Sequence, residues 1–276
     1  MNDSPEAGLD RDRIQSIERG FAVLLAFDEE SPSPTATEVA ERTGLSRPAV
    51  RRILLTLQHL GYVKVSGQRW MLTPRVLTIG QHFAATNSII EVTQPHLLRL
   101  AERTGESASL AQLDGIDVIY IARVHARRVL SLNVDIGTRL PAHATAMGRV
   151  LAAFGGADEV DRIINEGGLP ALTSRTVTDP INFRDILHQV RVDGFAIVDG
   201  ELEEGFLSAS APVRDAKGAV IAAIAYSTSR ARQTPEEVAR DVLPILREIA
   251  LDIGSDLAVL GDRPRVLALG ARNTFS

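Results

Sequence analysis

The sequence predicts an α+β chain: an N-terminal winged helix-turn-helix, then a C-terminal domain with a mostly antiparallel sheet flanked by helices. Three observations predict it. From Arg42 to Ile90 there is no Asp or Glu, yet that window holds Arg42, Arg47, Arg51, Arg52, Lys64, Arg69 and Arg75. Within it, Ala40, Gly44, Val50 and Ile53 supply a small residue where helices cross, a glycine for a tight turn and two apolar residues to seal the corner. Beyond Ser88, apolar β-branched runs separated by turn residues are followed by helical stretches, the order of an antiparallel sheet with helices packed on it.

With 276 residues the chain is long enough for two ordinary domains and a sizeable core. Its net charge of −5, taken alone, argues for a mildly acidic protein without a polyanionic partner. The distribution reverses that inference, because removing the seven cations of the acid-free window leaves 23 basic against 35 acidic residues elsewhere. The absence of cysteine excludes disulfides, a thiolate nucleophile and Cys-ligated zinc. The charged start, MNDSPEAGLDRDR, has no apolar core, so a signal peptide or membrane anchor is not expected there. No apolar run reaches the roughly 18 residues that span a bilayer. The expectation is a cytoplasmic protein with no membrane partner.

Residues 1–13 read as a disordered lead and 14–73 as the winged helix-turn-helix. Ile17, Phe21, Leu24 and Leu25 recur at helical spacing in a first helix, closed by the Ser-Pro-Ser-Pro stretch. Thr35 or Thr37 can cap a second helix ending before Gly44. Ser46 is expected to cap a third, with Pro48 in its first turn and Val50, Ile53, Leu54, Leu57 and Leu60 as its buried stripe. The period then shortens towards two, and Ser66-Gly67-Gln68 between apolar pairs predicts a hairpin wing. Thr73-Pro74 opens a connector helix, residues 74–88, before an effector-binding and oligomerisation domain over 89–261 and a tail over 262–276. In that domain strands are expected over 107–113, 118–124, 130–134, 195–198, 207–213 and 220–227. Helices are expected over 89–103, 143–154, 159–165, 182–193 and 235–260.

With the apolar stripe inward, Arg47, Arg51, Arg52, Leu55, Gln58 and His59 remain on the outer faces of the third helix, as on a recognition helix meeting base edges and phosphates. Thr35 and Ser46 at the helix starts, and Lys64, Arg69 and Arg75 on the wing and connector, complete the expected contact set on double-stranded DNA; the last three would position rather than specify. Trp70 is expected in the core, packing the wing on the third helix.

These residues resemble the IclR-type bacterial transcriptional regulators. Ile14–Gly20 with Ala22–Leu24 is similar to the family's opening signature, and Leu45–Arg52 to its recognition helix. Gly137–Arg149 and Gly194–Glu201 with Gly205 resemble its two most recognisable C-terminal segments. The resemblance spans Ile14 to Leu260. Leu54–Leu57, Arg69–Arg75 and Ile119–Val124 look most like the branch controlling aromatic degradation through the β-ketoadipate route. It implies a homodimer or homotetramer, a GAF-like effector domain and a small organic acid effector, with RNA polymerase as a partner if the protein is an activator. Carried over by position, the effector pocket comprises Val129, Leu132, Ala146, Met147, the Val198-Asp199 turn, Ser208 and Ser227. The sequence departs from the family pattern at Ala225, where a serine is expected, and at Met147, where a small residue is.

The residues themselves read as an apolar wall with hydroxyls and helix-start amides for a carboxylate. Pro141 to Thr145 leads into a helix, which adds Thr145 and His143 to the candidates, His143 being equally a packed or capping residue. Arg139 and Arg123 are read as surface bridges to Asp or Glu rather than ligand partners. Asp199, Glu201, Glu203 and Glu204 are read as a solvated, charge-rich turn rather than a metal or acid/base site. An enzyme domain acting on a small acid is the alternative function. Against it, the chain has no GxSxG, GxGxxG, P-loop or HExxH, and its six histidines never pair at i, i+4. No cofactor or metal is expected. A purely architectural DNA-binding protein is disfavoured by the size of the second domain.

Overall fold

The computed structural model describes residues 14–261 except 29, 87 and 126–133. The chain divides into two compact units, Met1–Thr86 and Asn87–Ser276.

The first unit contains helices α1 (Gln15–Leu25), α2 (Ala36–Thr43) and α3 (Arg47–His59). The hairpin β1 (Val63–Ser66) and β2 (Arg69–Leu72) follows, then a 3-10 turn (Pro74–Val76) and α4 (Leu77–Thr86). Thr35 caps α2 reciprocally: its hydroxyl accepts from the Glu38 amide at 3.3 Å, while its own amide donates to the Glu38 carboxylate at 2.6 Å. Gly44 then turns the chain at φ 67°, a conformation that side chains disfavour. Ser46 occupies the cap position of α3 but makes no side-chain cap bond, so its expected capping role is not the one it plays. Val23, Val39, Val50, Leu54, Leu57, Val63 and Trp70 close the core. The stripe on α3 ends at Leu57; Leu60, expected inward, is 47% exposed because the helix stops there and the chain turns at Gly61. Trp70 is held over this core, its amide donating to the Pro34 carbonyl at 2.9 Å beside a Thr35–Arg69 bridge.

The second unit opens with α5 (Ser88–Thr104) and builds one six-stranded antiparallel sheet in the order β5-β4-β3-β8-β7-β6. The strands are β3 (Ser107–Asp114), β4 (Asp117–Val124), β5 (Arg139–Pro141), β6 (Ala196–Asp199), β7 (Phe206–Arg214) and β8 (Val220–Ser229). Short β5 lacked a sequence signal; it is an edge strand of three residues pairing with β4. Most of the strand expected over 130–134 lies outside the described residues.

Helices cover both faces of the sheet. On one, α5 and α10 (Leu243–Gly261) pack Leu97, Leu100, Leu246 and Ile249 against Leu110, Leu207, Ile224 and Tyr226. The final helix, expected to be continuous, begins as a single turn α9 (Pro235–Glu237) and a π-helical turn (Val238–Val242) before α10. His96 and Arg103 on α5 bond Asp256 and Glu248 on α10, both at 2.8 Å, and Arg99 bonds Asp252 between them. On the other face lie α6 (Ala146–Gly155), α7 (Ala157–Asn165) and α8 (Pro180–Asp193). Here the sheet presents Ala111, Ala223 and Ala225, so α6 settles closely on it with Met147 and Val150 buried. The helix expected from His143 instead starts as a 3-10 turn (Ala142–Ala144), and α6 proper begins at Ala146 with Thr145 as its cap. Gly148 makes the junction possible, since a Cβ there would sit 2.1 Å from the Ala142 carbonyl oxygen. No helix among the described residues is long and apolar enough to cross a membrane.

Candidate functional site

In the first unit, Arg47, Arg51, Leu55 and Gln58 follow one another at helical spacing on the exposed side of α3, opposite buried Val50, Leu54 and Leu57. Arg52 and His59 are exposed beside them, and Ser46 and Lys64 are exposed at the helix start and on the wing. Among the described residues, Arg47, Arg51, Arg52 and Lys64 have no ion-pair partner. Other cations of the acid-free window are engaged. Arg42 bonds Asp28 at 2.5 Å, and Arg69 donates to the Ser33 carbonyl at 2.8 Å with the Glu38 carboxylate 3.8 Å away. Arg75 lies over the Tyr62 ring, 5.7 Å from its centroid. Thr35 is committed to capping α2.

In the second unit a small cavity of about 10 Å³, room for about one water, lies between the start of α6 and strands β4, β7 and β8. Thr145, Ala146, Met147, Ser208 and Ser227 line it, together with Tyr120, Ala144, Leu202, Phe206 and Ala225. Ser208 and Ser227 face each other across the β7–β8 ladder and are 6% and 8% exposed. Neither hydroxyl has a hydrogen-bond partner among the described residues. Thr145 accepts from the Gly148 amide at 3.1 Å, which leaves the first amides of α6 beside the cavity. Burial pushes the Tyr120 phenol up to about 12, against a smaller opposing effect of Arg123, so it stays protonated at neutral pH.

Behind the cavity, Arg149 donates to Glu201 at 2.6 Å with both side chains at most 10% exposed. Its Nε donates to the His143 carbonyl at 3.2 Å, and Glu201 also accepts from the Val177 amide at 3.0 Å. Glu201 is therefore no part of a solvated turn, and Asp199 bonds Arg175 at 2.5 Å; only Glu203 and Glu204 of that acidic group are exposed. The physical reason is a partner 52 residues away, invisible in local sequence. His143 is buried and does not line the cavity; its Nε2 meets the Pro170 carbonyl at 3.0 Å, and burial lowers its pKa. Val129 and Leu132 lie outside the described residues. Arg139 bridges Asp114 and Asp117, the surface role expected of it. Arg123, expected to do likewise, is buried, with Ser109 and His125 within 3.4 Å and the Tyr120 ring 5.9 Å away. Among the described residues no group of His, Asp and Glu is placed to hold a metal ion.

The sequence profile of the IclR helix-turn-helix domain matches residues 16–67, and that of the bacterial transcriptional regulator IclR C-terminal domain matches residues 81–255. The chain belongs to the IclR family of transcriptional regulators. The Pca regulon regulatory protein of Pseudomonas putida is 38% identical, over 88% of this chain and 84% of its own. A Rhodococcus sp. RHA1 structure described as a transcriptional regulator is 43% identical with a TM-score of 0.78, covering 90% of this chain and all of its own. An IclR homologue from Microbacterium hydrocarbonoxydans, solved with 4-hydroxybenzoate, is 25% identical with a TM-score of 0.77, covering 88% of this chain and 98% of its own. These relatives are regulators, so the enzyme alternative finds no support among them.

Within this IclR-family chain, the fold thus brings five of the nine expected effector residues to one cavity. Sequence reasoning missed Tyr120, Leu202 and Phe206. Strand alternation offered a signal for one of them, since Phe206 shares a face with Ser208. Leu202 lies in a loop and carried none.

Proposed function

We propose that the protein is a sequence-specific operator-binding regulator controlled by a small organic acid, aromatic or dicarboxylic, of the β-ketoadipate route. The observation that carries the effector class is the facing pair of Ser208 and Ser227 hydroxyls, which bond no described residue and line the cavity together with Tyr120, Phe206 and the start of α6. A hydroxyl both donates and accepts, so two of them without protein partners can bond a ligand that enters the cavity. Helix-start amides favour a carboxylate, and two aromatic walls favour a flat ring. The Microbacterium homologue's 4-hydroxybenzoate supports the same reading. Since the cavity admits about one water, binding requires a wall to retreat.

On DNA, the unpaired Arg47, Arg51 and Arg52 lie where base edges and phosphates would meet α3, with Ser46, Leu55, Gln58 and His59 beside them; Lys64 and Arg75 would contact phosphate from the wing and the connector. Thr35 and Arg69 would act indirectly, by shaping the helix start and the wing. The protein acts as a homo-oligomer in the cytoplasm. In support, Ile17, Phe21 and Leu25 of α1 are 52–79% exposed beside a 740 Å³ groove lined by Leu24, Ile53, Leu60 and Ile79. Effector binding would shift the placement of paired heads, to which half-site spacing is sensitive. If the protein activates, RNA polymerase is a further partner. A thermal-shift screen with protocatechuate, 4-hydroxybenzoate, β-ketoadipate, pyruvate and glyoxylate tests the effector class. Stabilisation by one of the first three is expected; stabilisation by the last two alone contradicts it.

A further inference from the structure

We infer that Arg149 and Glu201 are positioning residues that set the spacing between two walls of the effector cavity; this rests on the effector reading above. One wall is the start of α6, where Thr145, Ala146 and Met147 line the cavity just before Arg149. The other is the loop after β6, where Leu202 and Phe206 line it just after Glu201. The 2.6 Å bond between Arg149 and Glu201 joins the two walls directly.

Neighbouring bonds close this link into a ring. Arg149 donates to the His143 carbonyl at 3.2 Å, and His143 meets the Pro170 carbonyl at 3.0 Å. From the segment that follows, Thr176 donates to the Glu201 carbonyl at 2.6 Å, Thr173 to the Gly200 carbonyl at 2.7 Å, and the Val177 amide to the Glu201 carboxylate at 3.0 Å. Beyond Glu201 the loop is exposed at Glu203 and Glu204, and it is flanked by Gly200 at φ 71° and Gly205 at φ 79°. Glu201 is thus the fixed end of an otherwise solvent-facing loop that carries Leu202 over the cavity. A buried ion pair is a poor source of net stability relative to well-packed apolar side chains of similar volume. What this pair supplies is a fixed joint between the two walls, so that the wall that retreats to admit a ligand stays registered against the other.

The test separates positioning from folding in the full chain. The double variant Arg149→Met/Glu201→Leu removes both charges at similar volume. It is expected to melt within a few degrees of the wild type yet bind 4-hydroxybenzoate, or whichever screened acid stabilises the wild type, at least tenfold more weakly, with faster amide exchange over 202–206. A folded double variant with wild-type affinity and exchange overturns the inference. If the double variant does not fold, Arg149→Lys decides: it keeps the charge but loses the fork that bonds His143 and Glu201 together. Folded Arg149→Lys with at least threefold weaker binding and faster exchange over 202–206 supports positioning, and wild-type values for both overturn it. If the wild type binds no screened acid, the effector reading fails, and exchange over 202–206 alone decides the inference: faster exchange in the variant supports it, unchanged exchange overturns it.

Discussion

Arginine does opposite work on the exposed side of α3 and in the second unit's scaffold. In the head, Arg47, Arg51 and Arg52 stand exposed with no carboxylate near them among the described residues. In the second unit Arg149, Arg139, Arg175, Arg99, Arg103, Arg184 and Arg232 each bond an acidic side chain. A cation with no internal partner is available to a phosphate or a base edge, whereas a paired one is part of the scaffold. The average charge of the chain concealed this division, and local pairing reveals it.

The comparison breaks most readily at its buried end. Glu201→Leu leaves the Arg149 charge desolvated and alone, so it should cost about 3–5 kcal/mol of unfolding free energy, read by urea denaturation; a change under 1 kcal/mol would mean that the pair is not buried as described. At the exposed end, Arg51→Ala should leave stability within about 0.5 kcal/mol. It should weaken operator binding by about 1–3 kcal/mol and relax sequence preference. Equal loss on all sequences would reassign Arg51 to phosphate. Lys64→Ala should weaken binding more gently and uniformly, lowering the salt-dependence slope by about one. Last, the lowered pKa of His143, caused first by burial, means that the folded state resists its protonation. Stability should be undiminished above about 6.5, the ordinary imidazole value, and decline as pH falls below it. That decline should shrink in His143→Gln; an identical pH profile would show that His143 is not its source.

The head was legible because its determinants are local. Gly44 at positive φ, the Thr35 capping box and the stripe of Val50, Leu54 and Leu57 all act within a few residues. What escaped sequence reasoning there came from across the fold: one N–H of Arg69 donates to the Ser33 carbonyl, 36 residues away, which ties the wing to the segment before α2. In the second unit Ser208 and Ser227 are named by the family resemblance alone, and it is the β7–β8 register that sets them opposite each other. Leu202 was missed, and Glu201 was read as solvated, because the loop's course depends on Arg149 and on residues 170–177 rather than on its own composition. Met147 and Ala225, which depart from the family pattern, both line the cavity and so bear directly on its size.

Ligand control of DNA binding is most directly tested by titrating the full-length protein onto labelled DNA from beside its own gene, with and without saturating 4-hydroxybenzoate, protocatechuate or β-ketoadipate. At least one acid is expected to change the affinity by about 5–150-fold, the usual span of allosteric coupling, and to be recovered unchanged. The same affinity with every acid, or consumption of the acid, would contradict it.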